Sequence, residues 1–279
     1  MAAAPRRPRL VTLSSDLGSA YSAQVKAVLV RTLPAGRIVE LTHELPAHRV
    51  SEGAFLLRAM AQGFPAGTVH LAVVDPGVGG RRAPIAIACA DGSRLVGPDN
   101  GLLYPLAEAL GVPRAYRIDP ARRPGPPRVG TTFDARDVFA PAAVRLALGI
   151  PPRALGPPVE PIPYRVSTAR RVGRGAIGVV LHVDRFGNLI TNIPSRWVGP
   201  KVERIVLRVG RRRIVGAWGT SYEALGRGSI GSLGSSFGTI EIARGQGNAA
   251  RALGARPGAS IEARWDPAAR GFARDSIGK

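Results

Sequence analysis

Residues 75–82, "DPGVGGRR", place one carboxylate, Asp75, directly after an apolar run. Two arginines, Arg81 and Arg82, follow a few residues later, within reach of that carboxylate. The run "TVHLAVV" is typical of a buried strand, and the proline and glycines after it favour a tight turn. A phosphate-binding loop requires GxxxxGK[ST], and a dinucleotide site requires GxGxxG at the start of a helix, whereas this turn leads into another strand-like run. The segment therefore predicts that Asp75 is kept ionised and fixed by Arg82 or by its neighbour Arg81.

Three other clusters place polar side chains against the ends of apolar runs. They are Asp16 in "LSSDLGSAY", Asp99 and Asn100 in "GPDNGLL", and Asp134, Arg136 and Asp137 in "TTFDARDVFAP". For Asp99 and Asp137 we prefer a helix-capping role, because aspartate satisfies free amides at helix N-termini. Asp16 and Asp75 follow predicted parallel strands, and ligands gather at the carboxyl ends of such strands. We therefore expect these two aspartates at a site.

The segment "HVDRFGNLITNI" is the densest signal in the second half of the chain. Asp184 can accept hydrogen bonds from an ammonium group, Phe186 offers a flat face, and Asn188 can read an adenine edge through one donor and one acceptor. Aspartate, glycine and asparagine are equally typical of an ordinary β-turn. The segment alone leaves both interpretations open.

The elements that position these residues fall into two groups. Up to about residue 150, strand-like runs alternate with helical ones, which predicts an α/β domain with a mostly parallel sheet covered on both faces. Residues 151–165 are rich in proline and are predicted to be a linker. Residues 166–279 contain short β-like runs separated by glycine and polar turns, which predicts a small antiparallel β-barrel with a frayed tail from residue 266.

Composition separates the competing classes of function. The net charge of +20 comes almost entirely from arginine, and the arginines are spread along the chain with few aromatic residues, 5% in all. A specific nucleic-acid-binding protein would instead show a clustered basic patch with interleaved aromatic residues, although salt-dependent anion binding is still expected. The apolar runs are too short to cross a bilayer, and the start of the chain lacks a signal-peptide pattern, so we expect no membrane association.

Cysteine and histidine usage bounds the chemistry further. A single cysteine, Cys89, lies in the strand-like run "PIAIACA", which favours a buried structural thiol and a reducing, cytoplasmic location. The four histidines have none of the spacings typical of metal ligands, so we expect no metal site. They are His43, His48, His70 and His182.

Six motifs, in order, resemble those of the S-adenosylmethionine hydrolases, also called SAM hydroxide adenosyltransferases, which are relatives of fluorinase and chlorinase. They are "SSDLG", "VVDPGVGGRR", "GPDNGLL", "TFDARDVFAP", "DRFGNLITN" and "SSFGTIEIARGQGNAARAL". The resemblance spans about residues 9–265. It implies an α/β N-terminal domain, a β-barrel C-terminal domain and a homotrimer with active sites between subunits.

The activity implied by this resemblance is displacement at C5′ of S-adenosyl-L-methionine by water, giving adenosine and L-methionine without a cofactor. By motif position, Asp75 resembles the acid that orients the water, Arg82 the arginine that fixes it, and Asp16 the carboxylate that binds the ribose. The resemblance also assigns substrate binding to five residues of the C-terminal half. These are Asp184, Phe186 and Asn188, for the methionine ammonium and the adenine, together with Ser236 and Arg244.

One position departs from the family pattern. Hydrolases of this family carry histidine in a motif of the form TFHGRD, where this chain has "TFDARD", so Asp134 stands in place of the histidine. Asp134 either acts as a base or water anchor, or marks a protein that binds the adenosyl ligand with little or no turnover. A halide in place of water is a further alternative. A second carboxylate near Asp75 would require Arg82 or Arg136 to offset its charge.

Overall fold

The computed structural model describes residues 8–111, 114–119, 130–164 and 167–265. The chain divides into two compact units, Met1–Val166 and Ser167–Lys279. The predicted frayed tail from residue 266 lies outside the described residues. Residues 151–164, predicted as linker, fold with the first unit, where Pro158–Val159 pairs with a neighbouring strand.

The first unit consists of one sheet with helices around it. Its described strands are β1 (Val11–Ser15), β2 (Ile38–Thr42), β3 (Val69–Val73), β4 (Pro84–Ala88), β5 (Arg94–Pro98), β6 (Arg114–Arg117) and β7 (Pro158–Val159). Its described helices are α1 (Gly18–Val30), α2 (Val50–Ala61), α3 (Tyr104–Ala109) and α4 (Ala140–Ala147), with a π-helical turn at Ala135–Phe139 and 3-10 turns at Ala35–Arg37 and Pro152–Ala154.

The sheet has the order β2-β1-β3-β5-β4-β6-β7. The pairs β2–β1, β1–β3 and β3–β5 are parallel. The pairs β5–β4, β4–β6 and β6–β7 are antiparallel. The α/β class is therefore confirmed, and the sheet is mixed. Parallel pairing requires a long crossover, whereas β3 passes to β4 through a short turn and β4 passes to β5 through a hairpin.

Two apolar clusters cover the two faces of this sheet. Residues of α1 and α4 pack with Leu13 and Leu71 on one face, and residues of α2 and α3 pack with Ala72 and Val74 on the other. Because successive strand residues point to opposite faces, a strand covered on both sides is apolar throughout. The central strands β1 and β3 are buried along their whole length, so their carboxyl ends form a rigid edge.

A buried histidine links β1 to β3. His70 is 1% exposed, and its Nδ1 lies 2.8 Å from Thr12 Oγ1. Burial lowers the pKa of His70 to about 4, although the charge of Asp91 acts in the opposite direction. The unfolded chain binds a proton as the pH falls below 6.5, while the folded chain does not until about pH 4. The stability that depends on neutral His70 is therefore present above pH 6.5 and is lost as the pH falls toward 4.

Changing His70 to glutamine should remove this pH dependence. In the wild-type protein the group should contribute a loss of about 3 kcal/mol in the free energy of unfolding between pH 6.5 and pH 4. Urea unfolding at pH 7 and pH 4 would measure the difference between the two proteins. Equal pH dependence in wild type and His70→Gln would contradict the prediction.

The second unit is a nearly closed antiparallel barrel, as predicted for the C-terminal part. Its described strands are β8 (Arg170–Arg171), β9 (Gly175–Val183), β10 (Leu189–Pro194), β11 (Arg204–Val209), β12 (Arg212–Ala217), β13 (Ile230–Gly234), β14 (Thr239–Arg244) and β15 (Ser260–Arg264). It also contains α5 (Ala249–Leu253) and 3-10 turns at Ser195–Trp197 and Glu223–Leu225.

The barrel has the order β12-β11-β15-β9-β10-β14-β13, with β8 beside β9. Its end strands approach each other at a bridge between Trp218 and Ser232. A Cβ atom on Gly216 would lie 2.5 Å from the carbonyl oxygen of Ile230, so only glycine permits this approach. Alternate residues such as Ile240 and Ile242 fill the interior.

Candidate active site

Asp75 and Arg82 are joined in the turn that links β3 to β4. Arg82 Nε lies 3.0 Å from Asp75 Oδ1 and 2.9 Å from Oδ2, and Arg82 Nη2 lies 2.5 Å from Oδ2. Arg82, and not Arg81, is therefore the arginine that contacts Asp75. The Asp75 side chain is 5% exposed, so this contact is shielded from water and is stronger than a surface ion pair.

The same guanidinium also holds Asp134. Arg82 Nη2 lies 2.5 Å from Asp134 Oδ2, and the side chains of Arg82 and Asp134 are 10% and 6% exposed. Asp134 directly precedes the π-helical turn Ala135–Phe139, whose Phe139 ring lies 5.4 Å below the guanidinium carbon. One buried cation thus joins two buried carboxylates, and it offsets the repulsion between them.

Glycines allow the turn to fold this tightly. Gly79 has φ +75°, and a Cβ atom there would lie 2.8 Å from the carbonyl oxygen of Thr131. A Cβ atom on Gly77 would lie 3.3 Å from Arg82 Cγ. The turn therefore passes close to the segment that carries Asp134, and a side chain at position 79 would separate the two.

Asp16 lies at the adjacent strand end. Ser15 is in register with Val73 in the parallel pair β1–β3, and the Asp16 amide donates to the Val73 carbonyl oxygen at 3.2 Å. Asp16 Oδ2 accepts a hydrogen bond from the His48 backbone amide at 3.2 Å. The structure thus brings Asp16 and Asp75 to neighbouring strand ends, as the sequence predicted.

The "GPDNGLL" motif has a different role from the one predicted. Asn100 Nδ2 donates to the Val74 carbonyl oxygen at 2.9 Å, immediately before Asp75. Asp99 Oδ1 accepts from the Ile162 amide at 2.8 Å, and burial raises the pKa of Asp99. The helix-capping role predicted for Asp99 is wrong, because α3 begins later and has no side-chain cap. The motif instead fixes the chain around the strand ends.

Arg136 does not join the buried cluster. Its Nε and Nη2 donate to Asp137 at 2.8 and 3.0 Å, its Nη1 donates to Gln24 at 3.0 Å, and its carbon lies 4.8 Å from the centre of the Phe133 ring. Arg82 therefore supplies the positive charge that offsets the repulsion between Asp75 and Asp134.

In the second unit, Asp184 organises the turn between β9 and β10. Its Oδ1 accepts from the amides of Phe186 and Asn188 at 2.9 and 2.8 Å, and its Oδ2 accepts from Asn188 Nδ2 at 3.0 Å. Gly187 follows with φ +84°. The segment therefore forms a turn, and substrate binding by these residues stays a prediction. The turn leaves the Phe186 ring 62% exposed, while Asn188 is buried.

Ser236 and Arg244 lie at opposite ends of β14. Ser236 is exposed in the turn before the strand. Arg244 ends the strand, is exposed, and donates from Nε to the Gly228 carbonyl oxygen at 3.0 Å. The structure does not bring these two residues together.

A groove of about 420 Å³ begins one residue beyond Arg244, and the sequence did not predict it. It is lined by Tyr222, Glu223, Gly226, Arg227, Gly245 and Gln246. The Tyr222 hydroxyl donates to Glu241 at 2.6 Å, and burial together with this bond raises the pKa of Tyr222 to about 12. Asp184 also raises that pKa, so its charge acts on the groove.

Comparison with known proteins decides the family. Residues 11–156 match the SAM hydroxide adenosyltransferase N-terminal domain, and residues 178–262 match the SAM hydroxide adenosyltransferase C-terminal domain. This chain belongs to the SAM hydroxide adenosyltransferase family. The family resemblance inferred from the six motifs is confirmed.

The relatives of this family member agree with that assignment. The (R)-S-adenosyl-L-methionine hydrolase of Salinispora tropica is 44% identical over 184 residues, which cover 64% of this chain and 70% of the relative. The fluorinase of Actinoplanes sp. is more distant, at 28% identity over 213 residues, covering 66% and 71%. The crystal structure of an uncharacterized conserved protein from Thermotoga maritima superimposes with a TM-score of 0.84 at 30% identity, covering 91% of this chain and all of that one.

Two structural observations bear on cofactors and membranes for this SAM hydroxide adenosyltransferase family member. Within the described ranges, histidine, cysteine and acidic side chains form no group of three or more that could hold a metal ion. Among the helices of the described residues, none has the length and apolar character required to cross a bilayer.

Proposed function

We propose that this chain hydrolyses S-adenosyl-L-methionine, releasing adenosine and L-methionine. The buried Asp75 carboxylate, fixed by Arg82 at a rigid strand end, is the observation that carries the proposal. The hydrolase name of the 44% identical relative supports the same substrate. In that name the L describes the α-carbon, so the (R) describes the sulfonium, and the (R) epimer is the first substrate to test.

The proposed step is an in-line displacement at C5′. The water oxygen forms a bond to C5′ while the C5′–S bond breaks, and the bonding pair stays on sulfur, which leaves as a neutral thioether. The leaving group therefore needs no acid, and the water proton passes to Asp75. Among the described residues, Asp75 Oδ1 accepts a single hydrogen bond, from Arg82, so a lone pair remains to orient a water. The chemistry requires neither metal nor cofactor.

The remaining predicted residues are proposed to bind the substrate. Asp16 Oδ1 has no hydrogen-bond donor among the described residues and suits the ribose hydroxyls. Asp184 already uses both oxygens in its turn, so it would act on the methionine ammonium mainly through its charge. Phe186 offers an exposed ring for the adenine, beside Asn188. Ser236 and Arg244 are proposed contacts, and the groove next to Arg244 is a suitable volume for part of the ligand.

We further propose that the chain forms a homotrimer in the cytoplasm. In this arrangement the first unit of one copy and the second unit of a neighbouring copy supply the two halves of each site. Light scattering coupled to size exclusion would give the mass directly, and a monomer with full activity would contradict the shared site.

The activity is tested by incubating the purified protein with each sulfonium epimer separately and following adenosine by chromatography. Adenosine and methionine should appear in equal amounts from at least one epimer. A rate equal to that of the Asp75→Ala variant would overturn the proposal.

A second candidate function is adenosyl-ligand binding without turnover, which the aspartate at position 134 favours. The geometry supports a working residue instead, because Asp134 is buried and shares Arg82 with Asp75. Asp134→His should therefore lower kcat about 10–100-fold, since it removes a buried charge-assisted hydrogen bond. Steady-state kinetics would measure this effect, with Asp134→Asn as the matched variant that keeps size and an acceptor. A rise in rate with histidine would favour the binding protein.

A further inference from the structure

A chain of polar contacts ends beside Asp16. Lys26 on α1 contacts the Glu40 carboxylate. Glu40 Oε2 lies 2.8 Å from His43 Nε2, and His43 Nδ1 lies 3.0 Å from Ser15 Oγ. Ser15 is buried at the end of β1 and directly precedes Asp16. The proposed reaction uses none of these four side chains.

The hydrogen-bond donors in this series of contacts can all point toward Glu40. Hydrogen bonds from Lys26 and His43 lower the pKa of Glu40, so its carboxylate is an acceptor. The Glu40 carboxylate can accept from His43 Nε2, and in the tautomer that carries its proton on Nε2 the Nδ1 atom can accept from the Ser15 hydroxyl. The Ser15 oxygen then accepts the Leu17 amide at 3.4 Å. In this arrangement each donor from the Leu17 amide to the His43 ring has an acceptor.

His43 holds the chain on both sides of Asp16. Its ring contacts Ser15 on the N-terminal side, and its carbonyl oxygen accepts from the Gly18 amide at 3.0 Å on the C-terminal side. The Ser15 carbonyl oxygen is fixed as well, by the Leu45 amide at 3.0 Å. The backbone that carries the Asp16 carboxylate is thus fixed from outside β1 by the His43 ring and by the backbone groups of His43 and Leu45.

We propose that Glu40, His43 and Ser15 form a positioning relay that holds Asp16 for the ribose hydroxyls. This inference deepens the proposed function and rests on it. A ribose contact is made equally in the ground state and the transition state, so the relay acts on substrate binding. Losing it should raise KM and leave kcat nearly unchanged.

Ser15→Ala is the direct test. It should raise both KM and the Kd for adenosine about tenfold, the size of one typical hydrogen bond, with kcat changed less than about twofold. Calorimetry gives the Kd, and adenosine release gives KM and kcat. Thr12→Val is the matched control, because it breaks a similar buried serine/threonine–histidine contact on β1, at the far end of the strand. It should lower the thermal midpoint without changing the Kd.

A second pair of variants avoids the buried position. Glu40→Ala should reproduce the rise in Kd, whereas Glu40→Gln keeps an acceptor for His43 Nε2 and should restore most of the affinity. In an Asp16→Asn background, Ser15→Ala should add little, because the relay acts through Asp16. Additive effects, or an equal rise in Kd for Thr12→Val, would overturn the relay.

The outcome for the wild-type protein separates the two proposals. If the wild-type protein neither binds adenosine nor forms it from S-adenosyl-L-methionine, the proposed function is overturned, and the role of the relay with it. Wild-type activity together with an unaltered Kd and KM in Ser15→Ala and Glu40→Ala would overturn the relay alone.

Discussion

Changing Asp75 to asparagine should lower kcat for adenosine release by about 10²–10⁴-fold, the usual contribution of a positioned general base. Asparagine keeps the size of the side chain and one acceptor oxygen, but it cannot take the proton from the attacking water. KM should change much less, because the carboxylate acts on the water and not on the adenosyl group. Single-turnover measurements with enzyme in excess over substrate would separate this chemical step from product release.

The neighbouring pair Arg136–Asp137 provides the control for this prediction. Asp137→Asn also removes a carboxylate that is paired with an arginine, three residues from Asp134. Its hydrogen bonds with Arg136, of 2.8 and 3.0 Å, are similar in length to those between Arg82 Nε and Asp75. It should leave kcat nearly unchanged, since Arg136 lies apart from the buried cluster. A comparable loss of kcat in both variants would show that general disturbance of this region, and not Asp75 chemistry, limits the rate.

The sequence predicted the parallel half of the first sheet better than the other half. Helical runs between β1, β2 and β3 supply the crossovers that parallel pairing requires, and this alternation is visible in the residue pattern. The antiparallel half depends on β5 lying between β3 and β4 in the sheet. No pattern within a short stretch of sequence predicts that strand order. Pairing partners distant in sequence are set by packing of the whole unit, so they escape local reasoning.

The site shows the same limit. Asp75 and Arg82 are seven residues apart on one turn, so their contact could be predicted from the chain itself. Asp134 reaches Arg82 across 52 residues, and only the family resemblance placed it there. The groove beside Arg244 is lined partly by backbone at Gly226 and Gly245, which offers no side-chain pattern to recognise. Sequence patterns therefore find sites that lie on one turn more readily than those that are assembled from several.

Changing Arg82 to methionine should have a large effect on stability as well as on activity. The change leaves Asp75 and Asp134, 5% and 6% exposed, without the cation they share. Removing one partner from a buried ion pair costs about 3–5 kcal/mol in the free energy of unfolding, because uncompensated charge remains buried. Urea unfolding at pH 7 would measure this loss. Arg82→Lys should fall between wild type and methionine, since one ammonium cannot match the forked contacts to two carboxylates.

The pH dependence of the methionine variant distinguishes lost charge compensation from lost packing. Without the cation that they share, the buried carboxylates of Asp75 and Asp134 bind a proton more readily in the folded variant than in the folded wild type. The folded variant therefore gains stability relative to wild type as the pH falls from 7 toward about 5, and the difference between the two proteins narrows. A gap that stays constant over this range would mean that Arg82 acts through its packing on Phe139 alone. Arg136→Met, which removes the neighbouring arginine, should show little change at either pH. The Asp75–Arg82–Asp134 cluster would then be held together by charge.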